Sequence, residues 1–167
     1  MSGPDHPELL APVVRDAISR DRLDCFVAEI DPALADTAAF CETYHVPLEV
    51  SANCVVVSGR RADSVTMAAC LVLATDRADI NKTVRRHLDV RKISFADMAA
   101  AVSETGMAYG GITPIGLPPS WPILIDQQVA ASRWIVVGSG IRGSKIVVRG
   151  GDVADLPSVR VLSIAQR

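Results

Sequence analysis

Apolar residues recur every three to four positions between residues 7 and 20, which is the pattern of an amphipathic helix. The apolar positions of this segment are Leu9, Leu10, Val13, Val14, Ala17 and Ile18. Alternating apolar residues then predict a brief strand at residues 25–30. Asp36 provides an N-cap for a helix that ends before Pro47. The N-terminal part of the chain therefore predicts a helix, a strand and a second helix.

The middle of the chain carries two strongly apolar runs, Cys54–Ser58 and Met67–Thr75, separated by a polar stretch. This pattern predicts two neighbouring strands joined by a turn near the centre of a sheet. Asp79 and Asp97 can each cap a helix, and the first of these helices has a basic outer face. Between the two helices, residues 92–95 predict another brief strand.

The last third changes character, because glycine and proline crowd into residues 110–122 and four short apolar runs follow. These runs are 123–125, 134–137, 146–148 and 159–162. Strands so closely spaced predict a largely antiparallel region. We therefore expect an α/β chain of the α+β kind, in which a curved, mixed and mostly antiparallel sheet is flanked by helices. Residues 1–167 form a single domain in this prediction.

Composition narrows the classes of function. Hydrophobic residues make up 49% of the chain and aromatic residues only 4%, so the core is expected to be aliphatic. A net charge of −2 excludes a protein that coats nucleic acid by bulk electrostatics, so any RNA contact has to be local. Neither a secretory signal pattern nor an apolar run of about 20 residues is present, which predicts a cytoplasmic protein without a membrane partner.

The cysteines and histidines do not form a pattern typical of a metal or cofactor site. The four cysteines lack C-x-x-C spacing and the three histidines lie in separate segments, so neither a zinc cluster nor a Cys–His nucleophile pair is apparent. The residues are Cys25, Cys41, Cys54, Cys70, His6, His45 and His87. Buried, reduced thiols are the favoured interpretation, and we expect no metal and no cofactor.

Two glycine-rich segments carry the candidate chemistry. In the first, residues 106–118, the adjacent Gly110 and Gly111 permit backbone conformations that side chains prevent. The N–H groups of these glycines and of Ile112 can stabilise the oxyanion that forms when an ester carbonyl is attacked, an effect worth roughly 3 kcal/mol per donor. A rigid surface turn is the alternative that the pattern leaves open.

The second glycine-rich segment is Val137–Lys145, which contains Gly138, Gly140 and Gly143. Its spacing approaches a dinucleotide fingerprint, but the apolar run 146–148 predicts a hairpin where that fold needs a helix. The segment can cradle a phosphate or a terminal adenosine. A glycine-rich hairpin turn with its cations in solvent is the alternative.

Basic residues are dense at one place in the chain. They are Lys82, Arg85, Arg86, Arg91 and Lys92. Such a cluster either contacts an RNA backbone or forms a solvated helix face, and the sequence leaves both interpretations open.

Four segments in a fixed order give a more specific signal. They are Ala78–Lys82, Thr105–Gly116, Pro122–Asp126 and Val137–Lys145. With these segments, the chain from about Thr37 onward resembles the YbaK/ProX-like family of aminoacyl-tRNA editing domains. We therefore treat residues 37–167 as a YbaK/ProX-like editing core and residues 1–36 as an N-terminal extension of helix and strand.

The resemblance implies a metal-independent pocket that binds the aminoacylated 3′ end of a tRNA and hydrolyses its ester. The expected activity is trans-editing, in which a deacylase removes a small amino acid such as cysteine or alanine from tRNA for proline. The partner is then the mischarged tRNA, and a homodimer is left open. The catalytic candidates are Gly110, Gly111, Thr113 and Asn53. The candidates for binding substrate are Ile112, Pro114, Asp126, Gly138, Ser139, Gly140 and Lys145.

One position departs from the family pattern. Asn53 stands where the family usually carries a lysine, so hydrogen bonding is kept while charge assistance is lost. This departure motivates an alternative function, a module that binds tRNA or an aminoacyl ligand without hydrolysing it. Asp126 has an alternative role as well, as a turn former at the end of a strand. An oligomeric structural protein is a third hypothesis.

Overall fold

The computed structural model describes residues 1–166, which form eight strands in two sheets and six α-helices. The strands are β1 Cys25–Glu29, β2 Ala52–Arg61, β3 Ser64–Leu73, β4 Lys92–Phe95, β5 Ile123–Asp126, β6 Ile135–Gly138, β7 Ser144–Val148 and β8 Val159–Leu162. The helices are α1 Pro12–Asp21, α2 Thr37–Tyr44, α3 Arg85–His87, α4 Met98–Thr105, α5 Gln127–Ala131 and α6 Gly150–Ala154. None of the helices within the described residues has the length and apolar character needed to cross a membrane.

The larger sheet has five strands in the order β4-β2-β3-β5-β8. Its centre is the antiparallel hairpin of β2 and β3, paired from Ala52 with Leu73 to Arg61 with Ser64, as the two apolar runs predict. β5 and β8 are parallel to their neighbours, so the prediction of a largely antiparallel last third is wrong for these two strands. Long connections that contain helices precede both strands, and such crossovers return the chain in the same direction.

The smaller sheet has three antiparallel strands in the order β1-β7-β6. The β6–β7 hairpin confirms the turn predicted in the second glycine-rich segment. A parallel bridge between Ser51 and Val136 joins the edges of the two sheets. One large apolar cluster lies between them, and it includes Leu71, Ile125 and Ile146. The fold is therefore α+β with mixed and antiparallel sheets flanked by helices.

The N-terminal segment takes part in both the smaller sheet and the core. β1 forms an edge strand on β7, and Val14 and Ile18 of α1 are buried in the apolar cluster. The helix begins at Pro12 rather than near residue 7, because proline favours the first helical position and residues 7–9 form a separate 3₁₀ turn. The segment predicted as an extension thus completes a sheet.

A second apolar cluster covers the other face of the larger sheet. Ile80 and Val84, from a π-helical turn at Ile80–Val84 that leads into α3, pack there against Cys70 and Leu124. The predicted cap holds this turn, since the carboxylate of Asp79 accepts hydrogen bonds from Thr83. As a result, the basic residues of the turn and α3 lie beside edge strand β4.

Candidate active site

A cavity of about 550 Å³ opens beside the first half of β2. β4 pairs with β2 only from Val57 to Arg60, and the chain then turns away at Ala96, whose N–H donates to the carbonyl of Val56 at 2.9 Å. Residues 52–56 therefore form one wall of the cavity. The other walls come from the start of α2, the start of α4, the β6–β7 hairpin and the first glycine-rich segment. This segment, residues 106–118, is called the glycine loop below.

Five of the predicted site residues meet in this cavity. They are Asn53, Gly110, Ile112, Gly138 and Lys145. The other candidates do not line it. They are Gly111, Thr113, Pro114, Asp126, Ser139 and Gly140. Three segments distant in sequence thus meet in one site, while about half of the candidate residues lie behind its wall or elsewhere.

Within residues 1–166, some N–H groups of the glycine loop form hydrogen bonds and others have no partner. The N–H of Gly111 donates to Ala108 at 2.9 Å, and its carbonyl accepts from Gly140 at 2.7 Å. Within residues 1–166 the N–H groups of Gly110 and Ile112 have no hydrogen-bond partner, and both residues line the cavity. The sequence suggested three N–H donors for the oxyanion, those of Gly110, Gly111 and Ile112. Because Gly111 bonds within the fold, the N–H groups of Gly110 and Ile112 remain as candidates.

Gly111 is a glycine because of a close backbone approach. A Cβ atom at this position would lie 2.6 Å from the carbonyl oxygen of Ile141, a distance that side chains do not tolerate. Gly111 thus fastens the glycine loop to the turn after β6, and Gly110 and Ile112 flank this contact.

Thr113 and Pro114 hold the loop from behind. Thr113 is fully buried, and its N–H points to the sulfur of Met107 at 3.5 Å. Pro114 lines a separate cavity of about 240 Å³ on another side of the loop, together with Arg20 and Pro118. These contacts place neither residue against a substrate in the larger cavity.

Asp126 occupies the position predicted by its alternative role as a strand-end turn former. Its carboxylate accepts from Gln128 at 3.1 Å, which caps α5, and from Ile164 and Ala165 at 3.0 Å each. The residue is fully buried and lies outside the cavity lining. It ties the C-terminal segment to the sheet.

Ser139 and Gly140 stabilise the turn between β6 and β7. The hydroxyl of Ser144 donates to the Ser139 hydroxyl at 2.6 Å, and the Ser139 hydroxyl contacts the carbonyls of Ile141 and Ser144. Gly140 has a φ of 87°, which favours glycine, and it packs against Ala11 of the N-terminal segment. The serine hydroxyls of the turn are thus hydrogen-bonded within the fold.

Asn53 presents a donor to the cavity. The hydroxyl of Thr37, at the start of α2, donates to its Oδ1 at 2.6 Å. This bond occupies the amide oxygen, and the NH₂ group has no partner in the described part of the chain. Asn53 is therefore a neutral donor in the lining of the cavity. Sequence analysis treated Thr37 only as part of a helix start and missed this contact.

Lys145 contributes a cation to the same cavity. Its side chain is only 8% exposed, and its Nζ donates to the carbonyl of Ala35 at 2.9 Å and lies 5.3 Å from the ring centre of Phe40. Burial lowers the pKa of this ammonium, although the nearby Cys41 and Asp36 oppose that effect. Two of its three N–H donors have no partner within residues 1–166.

Arg142 is a second cation at the rim of the cavity. Its guanidinium donates to the carbonyl of Tyr109 at 2.9 Å and lies directly over Gly110, whose φ is 83°. Asp36, exposed at the start of α2, supplies a carboxylate to the lining. Sequence analysis assigned Arg142 to a turn and Asp36 to a helix cap. No sequence pattern indicates that either residue lines the site, because only the folded chain brings them together.

Cys54 lines the cavity but is not activated. Burial raises the pKa of its thiol to about 12, and the thiols of Cys70 and Cys25 are raised to about 12 and about 11 for the same reason. In the part of the chain that the structure describes, no histidine lines the cavity and could take a proton from this thiol. Within residues 1–166 no group of three or more His, Cys, Asp or Glu side chains is placed to hold a metal ion.

Comparison with solved structures shows the same fold in several proteins. A protein described as a "putative trans-editing enzyme for prolyl tRNA synthetase" superposes with a TM-score of 0.76 at 17% identity, over 95% of this chain and 99% of that one. A hypothetical protein superposes with a TM-score of 0.81 at 16% identity, over 92% of this chain and 99% of that chain. A scaffold for the presentation of grafted epitopes superposes with a TM-score of 0.77 at 18% identity, over 94% of this chain and 97% of that one.

The sequence itself matches a known family across most of its length. A family model of the aminoacyl-tRNA editing domain matches residues 31–156, which include every wall of the cavity described above. The matched residues contain β1's neighbour β7, the glycine loop and the β6–β7 turn. This chain belongs to the aminoacyl-tRNA editing domain family.

Proposed function

We propose that this protein is a trans-editing hydrolase that deacylates mischarged aminoacyl-tRNA in the cytoplasm. The observation that carries the proposal is the set of unpartnered donors that line one cavity. Within residues 1–166, these donors are the N–H groups of Gly110 and Ile112, the NH₂ group of Asn53 and two of the three N–H donors of Lys145. The likeness of fold, over nearly the full length of both chains, to the protein described as a "putative trans-editing enzyme for prolyl tRNA synthetase" supports the choice of activity.

The proposed reaction is the attack of water on the ester carbonyl that joins the amino acid to the terminal ribose. The carbonyl oxygen takes up negative charge, which the N–H groups of Gly110 and Ile112 stabilise at roughly 3 kcal/mol per donor. The carbon–oxygen bond to the ribose then breaks. One proton of the attacking water goes to the ribose oxygen, the other is released to solvent, and the amino acid leaves as a carboxylate. No metal and no covalent intermediate on the enzyme enter this scheme.

Lys145 keeps a positive charge near the position at which the family lysine is absent. It reaches the cavity from β7, whereas Asn53 reaches it from β2. A charged donor gives a hydrogen bond about twice as strong as a neutral donor gives. We assign Lys145 to the substrate carbonyl or the terminal ribose, with Asn53 as a second, neutral donor.

The dimensions of the cavity suit a small aminoacyl group. A volume of about 550 Å³ lies in the lower half of the range of ligand pockets, and the terminal adenosine takes part of it. Apolar side chains such as Val56, Met98 and Ile112 line the space that remains. We therefore propose that the substrate carries a small amino acid, such as cysteine or alanine on tRNA for proline.

A second candidate function is binding without hydrolysis. The observation that favours it is Asn53, because this neutral amide cannot assist the reaction by charge. In this case the cavity holds the aminoacylated end, and Lys145 only adds affinity.

The test is hydrolysis of a panel of mischarged tRNAs that includes alanine and cysteine on tRNA for proline. We expect turnover by the natural protein. Turnover only after Asn53→Lys would favour the binding module, and the absence of turnover in both proteins would refute the hydrolase. The matched control is Gln127→Lys, which adds the same charge at an exposed position of α5 away from the cavity.

A further inference from the structure

The cavity described above is the first of three that adjoin one another along edge strand β4. A second cavity of about 570 Å³ shares the wall residues Asn53, Val55 and Phe95 with the first. A third of about 890 Å³ shares Asn81, Ile93 and Ser94 with the second. Because neighbouring cavities share wall residues, we treat the three together and call them the β4 groove.

The far end of the β4 groove is strongly basic. Among residues 1–166, its lining contains five cations and no carboxylate. The cations are Arg60, Lys82, Arg85, Arg91 and Lys92. The whole chain has a net charge of −2, so this concentration of positive charge is local. Asp89 lies two residues before Arg91 in the sequence, but its carboxylate forms an ion pair with the guanidinium of Arg61, with 2.6 Å between oxygen and nitrogen.

The junction between the first two cavities carries an exposed aromatic ring. Phe95 is 70% exposed at the end of β4, and it lines both cavities. The floor of the second cavity is apolar at Val55, Val72 and Ile80. A ring that is left in solvent beside an apolar floor costs free energy unless a ligand covers it.

An exposed aromatic ring followed by a row of cations is the arrangement that binds single-stranded nucleic acid. Bases stack on the ring and the cations follow the phosphates. An acidic peptide would be attracted to the cations, but it would leave the ring and the apolar floor without a flat partner. Asp76 also lines the second cavity, so it is the exposed ring and the cations of the far end that favour RNA.

We propose that the β4 groove binds the single-stranded 3′ end of the substrate tRNA. The aminoacylated adenosine occupies the first cavity, a preceding base stacks on Phe95, and the phosphates that follow lie against Lys82, Arg85 and Lys92. This inference rests on the proposed function for the identity of the RNA. It further assigns a binding surface to the basic cluster, which the hydrolytic site itself does not use.

The first test reverses two charges of the β4 groove with Lys82→Glu and Lys92→Glu. Both side chains are exposed and form no hydrogen bond within residues 1–166, so the fold is expected to persist. The control is the pair Arg133→Glu and Arg160→Glu, which has the same change in charge. Arg160 lies on β8, at the opposite edge of the same sheet.

The readouts are the Kd for uncharged tRNA as a function of salt and kcat/KM for mischarged tRNA and for aminoacyl-adenosine. We expect the groove pair to weaken tRNA binding by about tenfold or more and to flatten its salt dependence, because two phosphate contacts are lost. Turnover of aminoacyl-adenosine should stay unchanged, since this ligand reaches only the first cavity. Equal tRNA affinity in the groove pair and the control pair would overturn the proposal.

The second test examines the aromatic ring separately. Phe95→Leu should weaken tRNA binding by about tenfold, and Phe95→Trp should retain it, because stacking requires a ring. Equal binding by both variants would contradict the stacking role.

If the natural protein binds tRNA at the β4 groove but hydrolyses no ester, the proposed function fails and the groove stands. If it hydrolyses aminoacyl-adenosine but the groove variants bind tRNA normally, the groove proposal fails and the proposed function stands.

Discussion

The two glycine-rich segments lie side by side but serve different purposes. Backbone hydrogen bonds join them, from Ala108 to Gly140 at 2.8 Å and from Gly140 to Gly111 at 2.7 Å. The glycine loop leaves the N–H groups of Gly110 and Ile112, two residues that line the cavity, without a partner within residues 1–166. The β6–β7 turn instead uses its serine hydroxyls within the fold. Glycine content therefore indicates close backbone packing. Only the account of hydrogen-bond partners shows which segment has donors to offer a substrate.

The contact between the two segments should be the position most sensitive to substitution. Gly111→Val places a side chain against the backbone of Ile141, so we expect a loss of about 3 kcal/mol in the free energy of unfolding and a fall in kcat of about a hundredfold or more. Urea denaturation and deacylation assays measure the two effects. Gly151→Ala is the control, because no atom lies within 4 Å of the added methyl group in α6. Normal turnover by Gly111→Val would contradict the assigned loop geometry.

Lys145 belongs to the hairpin that carries the turn but faces the cavity, so its removal should affect activity more than stability. Lys145→Met is expected to lower kcat/KM by about ten- to hundredfold, since a charged hydrogen bond to substrate is lost. The free energy of unfolding should change little, because methionine fills the same space without the cost of a buried charge. A large loss of stability with normal turnover would show that Lys145 serves the fold alone.

Ser139 should show the opposite behaviour. Ser139→Ala leaves the buried hydroxyl of Ser144 without one partner, and we expect the free energy of unfolding to fall by about 1–3 kcal/mol. Turnover measured below the unfolding transition should stay normal, because Ser139 lies outside the cavity lining. A fall in kcat without loss of stability would instead assign the turn to the reaction.

Cys54, on the strand wall that faces both segments, should have the smallest effect. Its thiol has a pKa of about 12, so the reactive thiolate is rare at neutral pH. Alkylation of Cys54 by iodoacetamide should be slow at pH 7 and should accelerate tenfold per pH unit as the pH rises towards that value. Cys54→Ala should leave kcat/KM unchanged. Rapid alkylation at pH 7 that abolishes turnover would identify a nucleophile.

Sequence patterns predicted most of the elements because their signals are local. The caps at Asp36, Asp79 and Asp97 appear where the predictions place them, since each carboxylate serves N–H groups within the next four residues. The direction of β5 and β8 was predicted wrongly. Their partners are chosen by the path of long connections, and the spacing of apolar residues carries no information about that path.

The candidate site was predicted in part for the same reason. Family motifs drew attention to the two glycine-rich segments and to Asn53, all of which contribute to the cavity. Asp126 shares those motifs but binds Ile164 and Ala165, which are almost 40 residues away in sequence. The β4 groove required the structure as well, because it brings Phe95 next to the candidate active site and the basic cluster beside β4.

The sequence by itself determined the positions of helices, strands and turns, the aliphatic core and the family, because these depend on local periodicity and on motifs in order. The tertiary structure decided which groups remain free to act. Gly111 and Asp126 find partners that fold back from other segments, and Ser139 finds its partners within its own turn. Gly110, Ile112 and Asn53 keep donors that no described segment reaches. A hydrogen-bond donor is available to a substrate only when the fold leaves it unpaired, and that condition involves the whole chain.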